Sequence, residues 1–374
     1  MHILAGARVV TPGSVLANGW LRIDGSRIDA VGDGSPPEPA EVHTLPGGWL
    51  VPGFVDLHCH GGGGVDFTGG EEAILAAAAF HLRHGTTAML ASLASAPVEE
   101  LCAQLARLAR VIPRSDGQLL GVHLEGPFLS ERRCGAHDPD HLLLPDLGVF
   151  TRLLDAAAGT LRTITIAPEL PGATALLDAA LAAGVAVAVG HSDANYDVAV
   201  AAFDRGASIA THLFNGMRPL HHREPGAALA ALDAGAACEV IVDGHHLHPA
   251  MVRLVASAAR RLVLVTDAMA AAGQPDGRYE LGGRQVELRG GEVRQPETGS
   301  LAGSTLTMDA ALRRCVQEAG LPVETVIAAA ATNPAAVLGA TSQGSLAPGK
   351  VADIVHLDDD FRVVQVMRRG TWVN

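Results

Sequence analysis

From Leu50 onward the chain alternates short, unbroken apolar runs with longer stretches of helical periodicity. Eight runs stand out, at residues 50–57, 86–92, 118–124, 162–167, 184–190, 207–211, 238–243 and 261–267. Buried parallel strands in a β/α repeat look like this, because neither face needs to alternate with polar residues. Between the runs, Pro97 in a first turn is followed by Val98, Leu101, Leu105, Leu108 and Ile112 at helical spacing. Alanine-rich versions of the same pattern fill 71–83, 172–183, 194–204 and 249–259. Eight strands alternating with helices predict an α/β fold, a (β/α)₈ TIM-type barrel.

The two ends of the chain read differently. Residues 1–49 carry short alternating segments with turns between them, such as ARVVTPG and WLRIDGSRIDAVGD. Residues 276–300 resemble a glycine-rich hairpin insertion, 306–320 and 322–338 two closing helices, and VADIVHL and RVVQVMRRG a return to β structure. The expected organisation is a small β-sandwich domain built from 1–49 and 341–374, flanking a barrel domain of 50–340.

Composition narrows the chemistry. The formal net charge of -13 over 374 residues, with no basic stripe, argues against nucleic acid or an anionic membrane as partner. Lys350 is the single lysine, so a Schiff base, a P-loop lysine or a metal-bridging lysine carbamate would have to use a residue near the C-terminus. Five cysteines without a C-x-x-C pair indicate neither a disulfide framework nor a cysteine zinc site. The N-terminal segment has no leader pattern and no apolar run is long enough to span a bilayer, so a soluble cytoplasmic protein is expected.

In such a barrel the reactive residues follow the strands. Here those positions hold His58-Cys59-His60, His123-Leu124-Glu125, His191-Ser192-Asp193, His212, the group Asp243 to His248, and Asp267. A lone histidine after a strand is usually structural. Imidazoles and carboxylates at one end of six strands are not, because burying them without a common partner is costly. His58, His60, Glu125, His191 and His212, with Asp267, exceed what one tetrahedral zinc uses, which favours two metals. With Lys350 far from the strand ends, Glu125 is the candidate bridge.

Two divalent ions would bring a shared water toward a pKa of ~7 and so supply hydroxide. Asp267 would accept its proton and deliver it to a leaving group. His137 and His246 are candidates for carbonyl and hydroxyl contacts. His123, His221, His222 and His245 are read as structural or solvent-facing.

The stretches PGFVDLHCHG, HLEGPFL, GAHDPDHL, GHSDA, THLFNGM, REPG, DGHHLHP, TDAM, LAGSTLTMDAAL and ATNPAAVLG occur in order along nearly the whole chain. In them the sequence resembles the N-acetylglucosamine-6-phosphate deacetylases of the amidohydrolase superfamily. GSLAPGKVADIVHLD, common to many amidohydrolases, supports fold more than substrate. The resemblance implies hydrolysis of N-acetylglucosamine-6-phosphate to glucosamine-6-phosphate and acetate. It maps Glu125, His191 and His212 onto the main metal site, His58 and His60 onto a second-metal position that some members lack, and Asp267 onto the acid/base. His137 maps onto the residue at the substrate carbonyl, His246 onto one at a sugar hydroxyl, and Asn215 and Gly216 onto backbone groups near the phosphate. Arg223 maps onto a phosphate-binding arginine supplied across a homodimer interface. Zinc is the first expectation for the metal, with iron or another divalent ion as alternatives.

Two other readings compete: a D-aminoacylase-like or isoaspartyl-peptidase-like amidohydrolase, disfavoured by the missing barrel lysine, and a non-catalytic barrel, disfavoured because none of the six ligand and base positions is missing. Cys59 is expected to face away from the metals, and Cys134 has no assigned role.

Overall fold

The computed structural model describes residues 1–37 and 41–373. Its centre is a parallel sheet whose strands neighbour one another in chain order: β1 Phe54–Asp56, β2 Thr86–Ala94, β3 Leu119–Glu125, β4 Leu161–Ile166, β5 Ala186–Val189, β6 Ile209–Ala210, β7 Ala237–Val240 and β8 Arg261–Leu264. A helix follows each strand, at Glu71–Arg83, Val98–Val111, Leu147–Ala157, Ala173–Ala182, Tyr196–Arg205, Gly226–Ala234, Pro249–Ala258 and Met308–Gln317. The barrel is joined between β8 and β1 just beyond the strands, by a bridge between Cys59 and Ala268. There the Asp267 N–H donates to the His58 carbonyl at 2.8 Å and the His60 N–H to the Ala268 carbonyl at 2.7 Å. The expected (β/α)₈ architecture is present.

Local chemistry explains where the helices start and which way they face. Asp146 and Asn195 cap two of them, accepting from the Val149 and Val198 N–H groups, a contribution of about 1 kcal/mol each. The helix Val98–Val111 buries Leu101, Leu105, Leu108 and Val111 against the barrel while Glu99 and Arg110 stay outside. Two helices escape the periodicity reading. Gly226–Ala234 is buried on nearly all sides, so its alanines show no polar face, and Leu147–Ala157 follows a long loop whose prolines mask its start.

One apolar run divides in two. Residues 50–57, read as a single strand, break at Gly53, where a Cβ would collide with the Thr87 side chain. Trp49–Pro52 pairs with His2–Thr11 and Ile354–Leu357 in a second sheet, and only Phe54–Asp56 enters the barrel. Hydrophobicity alone cannot locate this break, since both halves are buried. The second sheet runs in the order Thr371–Val373, Val363–Arg368, Ile354–Leu357, Trp49–Pro52, His2–Thr11, Ser14–Asp24, Arg27–Asp33, with Val42–Thr44 also paired to His2–Thr11. It encloses its own core, in which Leu4, Leu21 and Ile23 from one chain end meet Ile354 and Met367 from the other.

The insertion is a three-stranded antiparallel sheet, Gly277–Leu281, Arg284–Arg289 and Glu292–Arg294, packed through Val286, Leu288 and Val293 onto Met269 and Ala271. It overhangs the strand ends. After Met308–Gln317 the second closing segment is continuous from Val323 to Val337, with a π-type turn at Ala328–Thr332. No helix among the described residues is long and apolar enough to cross a membrane.

Candidate active site

Glu125 is the last residue of β3, and its two carboxylate oxygens face two different pairs of histidines. Oε1 lies 3.0 Å from His191 Nε2 and 3.0 Å from His212 Nε2. Oε2 lies 3.2 Å from His60 Nε2 and 3.5 Å from His58 Nε2. Within each pair the ring nitrogens are 3.1 Å apart. The edge of a tetrahedron around an ion with 2.0–2.1 Å bonds is about 3.3 Å, so these spacings are those of ligands around a small cation. The groups His58–His60–Glu125 and Glu125–His191–His212 can each hold a metal ion, and both are buried.

The side chains are aimed by contacts behind them. His191 Nδ1 donates to the Arg133 carbonyl at 2.8 Å, which leaves the Nε2 lone pair for the centre. Gly216 and Gly135 make room for this ring. A Cβ on Gly216 would sit 2.9 Å from His191 Nδ1, and Gly216 itself has φ +58°. Three site residues hold left-handed backbone conformations, at φ +47° for His191, +28° for His212 and +48° for Asp267. Such conformations are costly outside glycine and concentrate where function fixes a side chain.

Asp267, three residues beyond β8, places Oδ1 3.3 Å from both His58 Nε2 and His60 Nε2. Burial alone would push the Asp267 and Glu125 carboxyls toward neutrality. The surrounding imidazoles, His58 foremost, override it and hold both well below the usual carboxylate range. Burial likewise opposes a charge on His60, but Asp267 and Glu125 raise it to about 9. An electrostatic well of this kind accepts positive charge.

A cavity of about 300 Å³ opens above these groups. His60, Glu125, His137, His191, His212, Asn215, Gly216, His246 and Asp267 all line it, together with Leu281 and Gly282 of the insertion. His58 lies fully buried beneath. His137 Nδ1 accepts the Ser95 N–H at 3.3 Å, so its Nε2 carries the proton, 3.4 Å from Glu125 Oε2. Burial lowers the His137 pKa to about 4, which keeps the ring neutral. Asn215 uses its backbone N–H and side-chain amide on the carbonyls of His212 and Leu213, so it shapes the turn that presents Gly216. Arg223 is exposed and does not line its own chain's cavity.

His123 is held by Ser92 Oγ at 3.0 Å and Thr165 Oγ1 at 2.9 Å, under the His58 ring. His221 and His222 are exposed, and His245 lies 3.9 Å from Glu292. Cys59 turns away from the cavity, its sulfur 3.2 Å from His81 Nε2. Cys134 is half-buried beside Gly135.

Sequence reasoning assigned no role to the acidic groups that support the site. Asp56 accepts from Thr266 Oγ1 at 2.6 Å, and burial raises its pKa to about 7. Asp193 gathers Arg133 and Arg218 from two other loops, and Glu169 holds Ser192 Oγ and the Asp193 N–H at 2.7 and 2.6 Å. Glu239, on β7, points at His58 Nδ1 from 3.6 Å. Glu239 and Glu169, each inside or just after an apolar run, carried a readable signal, since a carboxylate there needs a buried partner.

The profile of the Amidohydrolase family matches residues 49–373. An N-acetylgalactosamine-6-phosphate deacetylase of Escherichia coli O157:H7 is 40% identical over 375 residues, 99% of this chain and 98% of the relative. An N-acetylglucosamine-6-phosphate deacetylase of Lysinibacillus sphaericus is 36% identical over 330 residues, 87% of this chain and 85% of the relative. Among solved structures, a mutant N-acetyl-D-glucosamine-6-phosphate deacetylase of Mycobacterium smegmatis in complex with N-acetyl-D-glucosamine-6-phosphate superposes with a TM-score of 0.95. It is 44% identical, covering 99% of this chain and 98% of that one.

Proposed function

The chain belongs to the amidohydrolase family, hydrolytic enzymes, and from that premise we propose that it cleaves the acetamide of N-acetylglucosamine-6-phosphate, releasing acetate and glucosamine-6-phosphate. The observation that carries this is Glu125, one carboxylate shared by two histidine pairs at the floor of a cavity with Asp267 beside it. Glu125, His191 and His212 would hold one divalent ion and Glu125, His58 and His60 a second, with Asp267 at the edge of the latter; zinc suits this donor set, and iron also accepts it. Such an ion polarises the amide carbonyl and lowers the pKa of water toward ~7.

The remaining steps belong to side chains. His137, neutral with its proton on Nε2, donates to the acetamide carbonyl. Asp267, ionised, takes the proton of the attacking water and passes it to the amide nitrogen, because an amide anion is too poor a leaving group to depart unprotonated. His246 meets a sugar hydroxyl, Asn215 and Gly216 border the phosphate, and Arg223 reaches the phosphate of a second subunit's substrate in a homodimer. That last role fits its exposure and its place outside the lining of its own cavity.

Residues 50–340 form the catalytic unit in this reading, and 1–49 with 341–374 the supporting β domain. The cytoplasm is the compartment that suits five unpaired thiols.

The test is acetate release from N-acetylglucosamine-6-phosphate, with the galactosamine epimer run in parallel because one relative carries that name. Release from neither substrate would overturn the proposal. Faster release from the epimer would reassign the sugar and keep the reaction.

A further inference from the structure

His246 is a cavity residue whose ring is held from behind. Its Nδ1 lies 2.7 Å from Asp243 Oδ2, with both side chains buried at 5% and 8% exposure. The other oxygen, Oδ1, accepts the backbone N–H of His245 at 2.9 Å and that of His246 at 2.8 Å. His246 lines the cavity and Asp243 does not. An ionised carboxylate can only accept, so the imidazole proton facing it sits on Nδ1. Nε2 is then the nitrogen left for the cavity, an acceptor in the neutral ring. Burial opposes a charge on the ring, but Asp243 and Asp267 raise its pKa, so the acceptor is the form present above that raised value.

We propose that Asp243 is a positioning residue that locks His246 in the Nδ1–H tautomer, so that Nε2 accepts a hydrogen bond from a ring hydroxyl of the substrate. The proposal rests on the deacetylase reading and adds to it the group that makes the hydroxyl obligatory. His137 has the opposite assignment, since the Ser95 N–H occupies its Nδ1 and its Nε2 donates. Beside the histidines grouped around Glu125, the cavity thus offers one imidazole donor and one imidazole acceptor. An N-acetyl amino sugar calls for both: its carbonyl oxygen can only accept, and its hydroxyls can donate. A buried acceptor left unpaired also penalises sugars that lack the hydroxyl or turn it away.

Asp243→Asn isolates this role. The new amide oxygen stays with the two backbone N–H groups, where an NH₂ would face two donors. The NH₂ therefore faces His246 Nδ1 and drives the ring proton to Nε2, the wrong tautomer for accepting a hydroxyl. We expect kcat/KM for N-acetylglucosamine-6-phosphate to fall about tenfold or more in Asp243→Asn, and the same substitution to change it less than about twofold in a His246→Ala background.

Equal losses in both backgrounds would reduce Asp243 to a scaffold role and overturn the proposal, as would no loss in either. An independent readout avoids the variant's folding. A low-field proton resonance that is present in the wild type and missing from His246→Ala marks the Nδ1–H bond, and its absence from the wild type refutes the tautomer. A wild type inactive on every N-acetyl amino sugar phosphate would count against the deacetylase reading and leave the resonance to decide the role of Asp243.

Discussion

His58 and Asp267 meet twice. The Asp267 N–H donates to the His58 carbonyl at 2.8 Å, and Asp267 Oδ1 lies 3.3 Å from His58 Nε2. The seam that closes the barrel is therefore also where the carboxylate is aimed. One residue back, Thr266 Oγ1 donates to Asp56 Oδ2 at 2.6 Å and fastens the same seam from below. The left-handed backbone at Asp267 follows from this double attachment, because the chain must turn its side chain inward while keeping the ladder to β1.

Glu125→Ala removes the one group common to both histidine pairs. Metal measured by elemental analysis on protein purified without chelator should fall from up to two ions per chain toward none. Unchanged metal content would show that the histidines suffice and would remove the bridge.

Gly216→Ala tests the same centre from outside the ligand set. A Cβ there would press on His191 Nδ1 from 2.9 Å, at a backbone φ of +58° that disfavours side chains. Displacing a group that orients a ligand typically costs 10- to 100-fold in metal affinity. Chelator competition should show that loss, and equal affinities would mean that the turn yields instead of the ring.

The barrel was legible because each strand is an unbroken apolar run, and the candidate site because the histidines and carboxylates gathered there follow those runs directly. What stayed hidden is tertiary. Gly53 divides two buried strands of different sheets, and no periodicity marks the division. Asp193 pairs with Arg133, whose carbonyl meets His191, and Asp243 pairs with His246, so their roles appear only once the loops are in place. Gly226–Ala234 hides its helix because a segment buried on nearly every side has almost no polar stripe to announce it.

Arg223 is exposed and does not line its own chain's cavity, so the proposed phosphate contact is assigned to a second subunit. Arg223→Ala should raise KM for N-acetylglucosamine-6-phosphate by tenfold or more, about 1.4 kcal/mol, and should change KM for unphosphorylated N-acetylglucosamine far less. Equal effects on both sugars would place the phosphate elsewhere.

His81 gives the fold an acid sensitivity separate from catalysis. Its Nε2 donates to the Gly61 carbonyl at 2.9 Å, and full burial lowers its pKa to about 4. The unfolded chain binds this proton near pH 6.5 and the folded chain does not. Stability is therefore retained above about pH 6.5 and lost as pH falls toward 4, by about 3 kcal/mol in all. His81→Gln keeps a donor without the titration. Urea unfolding at pH 7 and pH 5 should show a smaller acid loss in His81→Gln than in wild type, and parallel losses would exclude His81 as a source.

Asp267→Asn bears most directly on mechanism. The substitution preserves size and the backbone bond to His58, so the barrel seam stays closed. An amide cannot take a proton from water at neutral pH, nor return one to a departing amine. Among the described residues, no lysine or tyrosine lines the cavity to replace it. Groups in this role contribute ~10²- to 10⁴-fold, so kcat for acetate release should fall by that much with KM within a few-fold of wild type. Metal content must be matched first, since Oδ1 also stands 3.3 Å from His60 Nε2 and can act as a ligand. A metal-replete Asp267→Asn protein with near-normal kcat would leave the reaction class intact and move the proton transfer to another group. A variant that loses activity only in proportion to lost metal would make Asp267 a ligand and not the base.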